Sequence, residues 1–160
     1  MLGAFSVGKT SLVSRFVFSL FSEKYMTTVG VKIDKKVVTA NGEEVSLLIW
    51  DIYGEDAIQQ IRSSYVRGAA GYLLVADGTR PETIEIARRI RTRMESELGP
   101  VPFVLMVNKA DLREEWKLGN GELDDLRNEG WPVLRCSART GEGVEEGFLR
   151  LVADMQEPPS

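Results

Sequence analysis

At 160 residues the chain has the length of one domain, and its apolar share of 43% suffices for a single substantial core. A net charge of −4 offers no basic field to DNA, RNA or anionic lipid, so nucleic acid is not an expected partner. Cys136 is the only cysteine and histidine is absent, which excludes a disulfide framework and a Cys/His zinc site and suits a reducing, cytoplasmic setting.

No apolar run approaches the ~18 residues of a membrane span, and the start does not read as a signal peptide. In chain order, Leu12, Val13, Phe16, Val17 and Leu20 recur at helical spacing, predicting an amphipathic helix from Lys9 to about Phe21. Val31 to Thr39 and Val45 to Asp51 are β-rich runs around Asn41-Gly42, a two-residue hairpin signal. Then Gly71 to Asp77 and Pro102 to Asn108 are nearly continuous apolar runs, as strands covered on both faces require, and Pro132 to Cys136 is a shorter one. Helices are expected from roughly Pro81 to Leu98, Gly121 to Asn128 and Gly143 to Met155, with Gln156 to Ser160 as a disordered end. Strands alternating with helices imply a three-layer α/β domain over residues 1–155, its sheet mostly parallel with one antiparallel strand.

One expectation conflicts with this frame. Only Met1 and Leu2 precede Gly3, so the first central strand reads as truncated, which would leave neighbouring backbone groups without partners. A shortened start, with lower stability than a longer chain would have, is expected, the alternative being that another segment fills the gap.

Gly3-Ala4-Phe5-Ser6-Val7-Gly8-Lys9-Thr10 matches Gly-x-x-x-x-Gly-Lys-[Ser/Thr] in full. Such a loop wraps a polyphosphate, with backbone N–H groups and the next helix N-terminus facing the anion. Lys9 supplies a cation for the terminal phosphates and Thr10 a hydroxyl for Mg²⁺. The motif does not choose between ATP and GTP. Asn108-Lys109-Ala110-Asp111 supplies that choice at the end of a buried strand, where α/β sheets place ligands. A carboxylate at Asp111 accepts from N1–H and the 2-amino group of guanine, a paired donor edge that adenine lacks. The Lys109 stem suits the base plane, and Asn108 is placed to tie this loop to the phosphate loop. Ser137-Ala138-Arg139 ends the next strand, with the Ala138 N–H aimed at guanine O6.

Together these motifs, in this order, resemble the Ras superfamily of small GTPases from Gly3 to Met155. The resemblance implies a P-loop fold that binds GTP or GDP with Mg²⁺. Gly3, Ala4, Phe5, Ser6, Val7, Gly8, Lys9, Thr10 and Ser11 would surround the phosphates, and Phe21 would contact the guanine. Core packing is the competing role for Phe21. Tyr25 and Thr28 would lie in a first switch, with Thr28 on Mg²⁺ when GTP is bound. Asp51 would hold the metal through a water, and the Gly54 N–H would sense the γ-phosphate. Catalytic roles fall on Gly54, Glu55 and Lys9. Glu55 stands where the family has a water-orienting glutamine; an ionised carboxylate only accepts hydrogen bonds and repels the γ-phosphate. Phe5 replaces a small residue. Slow hydrolysis follows from both departures.

Arg62 to Tyr72 resembles the Rab branch, as do Trp50 and Tyr65, two members of an effector-facing aromatic triad. Ile33 replaces the third. Packing beneath the switch is the alternative for both aromatics. The chain carries no terminal cysteine for prenylation, so no lipid anchor is expected, and a monomer is expected. A non-hydrolysing guanine-nucleotide adaptor and a metabolite kinase compete with a GTPase switch. Arg88, Arg89, Arg91 and Arg93 share their helix with Glu82, Glu85, Glu95 and Glu97, which reads as a solvated helix face.

Overall fold

The computed structural model describes residues 1–22, 30–52 and 61–158. Among them run β1 (Leu2–Gly3), α1 (Lys9–Phe18), β2 (Val31–Ala40), β3 (Glu43–Ile52), α2 (Ser63–Val66), β4 (Tyr72–Asp77), α3 (Glu82–Leu98), β5 (Phe103–Asn108), α4 (Asn120–Asn128), β6 (Val133–Arg135) and α5 (Val144–Gln156).

β1, β4, β5 and β6 form a parallel sheet in that order. Strand periodicity explains its unbroken apolar runs. Leu73, Val75, Val104 and Met106 face one way into a core with Leu12, Phe16, Phe148 and Val152 of α1 and α5. Their neighbours Leu74, Ala76, Leu105 and Val107 face the opposite way, against Ile90, Met94, Leu123 and Leu126 of α3 and α4. Both faces are therefore buried, as the sequence predicts for a three-layer α/β domain. Phe16 and Phe148 stack at 4.0 Å between centroids, fastening α1 to α5.

β2 and β3 pair antiparallel across Asn41-Gly42, whose φ values of 51° and 79° suit the tight turn joining Ala40 to Glu43. This hairpin is a separate two-stranded ladder, not an edge of the parallel sheet. β1 is two residues long. Beyond them a cavity of about 540 Å³ lies between the hairpin and β4, lined by Leu47, Ile49, Leu73, Leu98 and Leu151 among others. Among the described residues a hydrogen bond from the Met1 amine to the Trp50 carbonyl, at 2.9 Å, spans the join.

Several boundaries differ from expectation. α1 stops at Phe18 because Ser19 turns left-handed (φ 56°) and the N–H groups of Ser19 and Leu20 fold back onto the carbonyls of Arg15 and Ser14. Leu20, assigned by spacing to the buried stripe, is consequently exposed. Gln156, assigned to a disordered end, is the last residue of α5, and its side-chain oxygen accepts from Asn41 at 3.3 Å. On α3, Arg88 pairs with Glu129, Arg91 with Glu95 at 2.9 Å and Arg93 with Glu97 at 3.7 Å.

Burial holds the Met1 amine down at about 6, from an ordinary 8.0; Asp51 opposes the shift and Lys9 adds to it. The folded chain therefore prefers the neutral amine. Its stability is undiminished above pH 8 and falls as the pH drops through 6, by about 2–3 kcal/mol at most. Among the described residues this amine is therefore a group expected to titrate in that window. Thermal unfolding of the 160-residue chain should shift upward between pH 6 and 8, and acetylating the amine should flatten the slope. An unchanged slope after acetylation would refute the assignment.

Candidate functional site

β4 and β5 end side by side, with Asp77 and Asn108 as register partners. The loop between β1 and α1 lies against this rim, and its conformation is set by where its carbonyls go. Lys9 Nζ donates to the carbonyls of Gly3 (3.1 Å) and Ala4 (2.8 Å). The Arg80 guanidinium donates twice to the Phe5 carbonyl, at 3.1 and 2.8 Å. Lys109 Nζ donates to the Ser6 carbonyl at 3.1 Å, and Asn108 Nδ2 to that of Val7 at 3.0 Å. Thus each carbonyl from Gly3 to Val7 accepts a side-chain hydrogen bond. In a trans peptide the C=O and the following N–H point oppositely. Where Arg80 and Lys109 draw the Phe5 and Ser6 carbonyls to one side, the N–H groups of Ser6 and Val7 turn to the other, an arrangement that suits an anion at the start of α1.

Gly8 closes the loop with φ 98°, and a Cβ there would sit 2.3 Å from Asn108 Nδ2. Glycine is required on both counts. Ser6 (φ 61°) and Lys109 (φ 72°) hold left-handed conformations without being glycines, a strain that surrounding bonds must maintain. Phe5 is partly exposed and Val7 fully buried; Ser11 sits half-buried in the first turn of α1.

The Thr10 hydroxyl donates to Asp51 at 2.7 Å. Asp51 is fully buried, and its other carboxylate oxygen has no hydrogen-bond partner among the described residues. An orphaned buried anionic oxygen beside a hydroxyl is what a divalent cation satisfies, so the residues fit Mg²⁺. Among the described residues no cluster of three or more His, Cys, Asp or Glu surrounds it. Phosphate oxygens and water would complete such a shell, as is usual for Mg²⁺.

On the base-reading side, Ser137 Oγ donates to Asp111 at 2.7 Å and accepts from the Thr140 N–H at 3.1 Å. Asn108 joins both loops: its Nδ2 reaches Val7, and its Oδ1 accepts from the Ala138 N–H at 3.1 Å. That N–H, aimed by sequence reasoning at guanine O6, is already engaged here, so a base contact must share it. Arg15 of α1 donates to the carbonyls of Ala138 (2.7 Å) and Arg139, binding the third loop to α1. The Arg139 residue is exposed, as is Phe21, which is not the core residue that packing alone would make it.

Tyr25, Thr28, Gly54 and Glu55 lie outside the described residues. Ile33 and Trp50 are cross-strand partners on the hairpin, 49% and 37% exposed, while Tyr65 is half-buried against the α3 side of the core. Arg15, Asp77 and Arg80 were missed by sequence reasoning. A buried acid ending an apolar strand signals Asp77; helical spacing gives no such hint for Arg15.

The model of the Ras family matches residues 1–157. The chain belongs to the Ras family. Ras-related protein Rab-4 of Dictyostelium discoideum is 37% identical over 152 residues, covering 94% of this chain and 74% of that protein. Ras-related protein Rab-13 of Bos taurus is 31% identical over 157 residues, covering 97% and 77%. This Ras-family chain is accordingly a Rab-like small GTP-binding protein, and no helix among its described residues is long and apolar enough to cross a membrane.

Removing the Ser137 hydroxyl leaves Asp111 without its orienting donor. Ser137→Ala is expected to weaken GDP binding about fivefold, the worth of one hydrogen bond near 1 kcal/mol. Titration with a fluorescent guanine nucleotide measures it; unaltered affinity would contradict the orienting role.

Proposed function

We propose that this Ras-family protein is a nucleotide-dependent switch that hydrolyses GTP to GDP slowly and binds effectors in its GTP form. The observation that carries the reading is the junction of two loops on one sheet rim: Asn108 bonds the phosphate loop at Val7 and the third loop at Ala138. Asp111 then selects guanine while Gly3 to Thr10 hold its phosphates.

Lys9 is nearly buried with its ammonium bonded to the loop's own first carbonyls, so its charge is fixed where terminal phosphates arrive. A preset cation need not reorganise as charge moves during phosphoryl transfer. Thr10 and Asp51 are the described residues that would hold Mg²⁺, with Thr28 joining them in the GTP form. Bound there, the ion would neutralise phosphate charge. The Gly54 N–H and Thr28 would report the γ-phosphate, and loss of that phosphate would release both segments.

Hydrolysis is slow in this reading because Glu55 cannot both donate to and accept from the attacking water. The exposed Phe5 ring adds bulk beside the same loop. These two residues also support the second reading, a guanine-nucleotide adaptor that does not turn over. The Ile33–Trp50 pair, with Tyr65, forms the proposed effector surface, where rigid apolar side chains anchor a partner. A cytoplasmic monomer fits the lone buried Cys136, whose thiol burial keeps protonated.

Purified protein should carry a guanine nucleotide and release phosphate over multiple turnovers only with Mg²⁺ present. Single-turnover GTP loss should accelerate in Glu55→Gln, more so when combined with Phe5→Gly. No multiple turnover would favour the adaptor. Equal uptake of adenine nucleotides would remove the guanine assignment altogether.

A further inference from the structure

Asp77 is fully buried, and its two oxygens have separate tasks. Oδ1 accepts from the Thr79 N–H at 2.8 Å and the Thr79 hydroxyl at 2.7 Å. Oδ2 faces two cations, Lys109 Nζ at 2.7 Å and Arg80 Nε at 3.7 Å. Those cations grip consecutive phosphate-loop carbonyls, Arg80 at Phe5 and Lys109 at Ser6. One buried carboxylate therefore stands behind two neighbouring peptide planes. It also stands behind Lys109, which belongs to the Asn-Lys-x-Asp loop.

The segment bearing Arg80 is itself pinned. The Gly78 N–H donates to the Asn108 carbonyl at 3.0 Å, and its carbonyl accepts from the Lys117 N–H at 2.8 Å. The Trp116 ring lies so close that a Cβ on Gly78 would sit 2.0 Å from it. Thr83, also buried, accepts from the Asp77 N–H and donates to the Arg80 carbonyl at 2.7 Å. Arg80 thus projects from a fixed turn, and its guanidinium reaches Phe5 with two donors in a planar fork.

From this geometry we propose that Asp77 and Arg80 are positioning residues for nucleotide retention, aiming the Ser6 and Val7 N–H groups at the phosphates by holding the preceding carbonyls outward. The proposal rests on the guanine-nucleotide reading above and adds the residues that preorganise its grip. Arg80 serves the phosphate loop alone. Asp77 serves both loops, since Lys109 joins it to the base-reading turn. The left-handed backbone at Ser6 and Lys109 is sustained by the same bonds. A loop already ordered loses less freedom when ligand arrives, and so holds it longer.

The test compares release of a fluorescent GDP with competition by guanosine, which lacks phosphates, for the full chain and its variants. Arg80→Ala should release GDP about tenfold faster while guanosine competes as before. Arg80→Lys, with one compact donor group, should recover part of the loss. Asp77→Asn should release GDP faster than Arg80→Ala and also weaken guanosine. A purely structural role would lower the melting temperature without changing the GDP-to-guanosine ratio, and would overturn the proposal. So would GDP release from Arg80→Ala at the unmodified rate, which leaves the guanine-nucleotide reading intact. Failure of the unmodified chain to retain guanine nucleotide would overturn both.

Discussion

The loop from Gly3 to Gly8 can present N–H groups to an anion only while its carbonyls are satisfied elsewhere, and the rest of the site is arranged around that requirement. An unpaired buried carbonyl carries a desolvation cost comparable to a lost hydrogen bond. Here the donors arrive from three places in the chain: Lys9 from α1, Arg80 from the turn after β4, and Asn108 and Lys109 from the end of β5. No local rule makes a six-residue loop adopt this shape. The shape exists because donors of different sequence distance converge on it.

Convergence in turn depends on the sheet. Parallel pairing brings the carboxyl ends of β4 and β5 to one level, with Asp77 opposite Asn108. Two apolar layers, one on α1 and α5 and the other on α3 and α4, clamp those strands from both faces. Helix packing far from the rim therefore fixes the heights of the groups at the rim. The hairpin is held less completely: it joins the parallel sheet through the Met1–Trp50 bond beside a 540 Å³ cavity. It nonetheless delivers two things, the buried Asp51 carboxylate beside Thr10 and the exposed Ile33–Trp50 pair on the surface. A buried carboxylate and an exposed apolar residue share one strand because successive β residues face opposite ways.

The candidate site is legible in the sequence where Gly3 to Thr10 and Asn108 to Asp111 are contiguous, because the chemistry expected of them depends on residue type at fixed spacing. The same reading missed Arg80, Asp77 and Arg15, which bond directly or through Lys109 to the backbone of the candidate loops. Arg80 lies 75 positions from the carbonyl it grips, and Arg15 lies 123 from its partner at Ala138. Spacing rules have no reach at such separations. The end of α1 was misjudged for a related reason: apolar periodicity continues to Leu20, but a left-handed Ser19 stops the helix first.

From the order of residues alone came the α/β class, the two-residue hairpin turn, the doubly covered strands and the guanine-nucleotide motifs. Each is a local pattern whose physical cause, periodicity, turn chemistry or donor type, is carried within a few residues. The folded chain alone decided the capture of the Phe5 and Ser6 carbonyls by Arg80 and Lys109, the engagement of the Ala138 N–H by Asn108, the detachment of the hairpin as its own ladder, and the gathering of two cations on Asp77. These are contacts between distant segments, and only packing of both layers onto one sheet brings the partners within hydrogen-bonding distance.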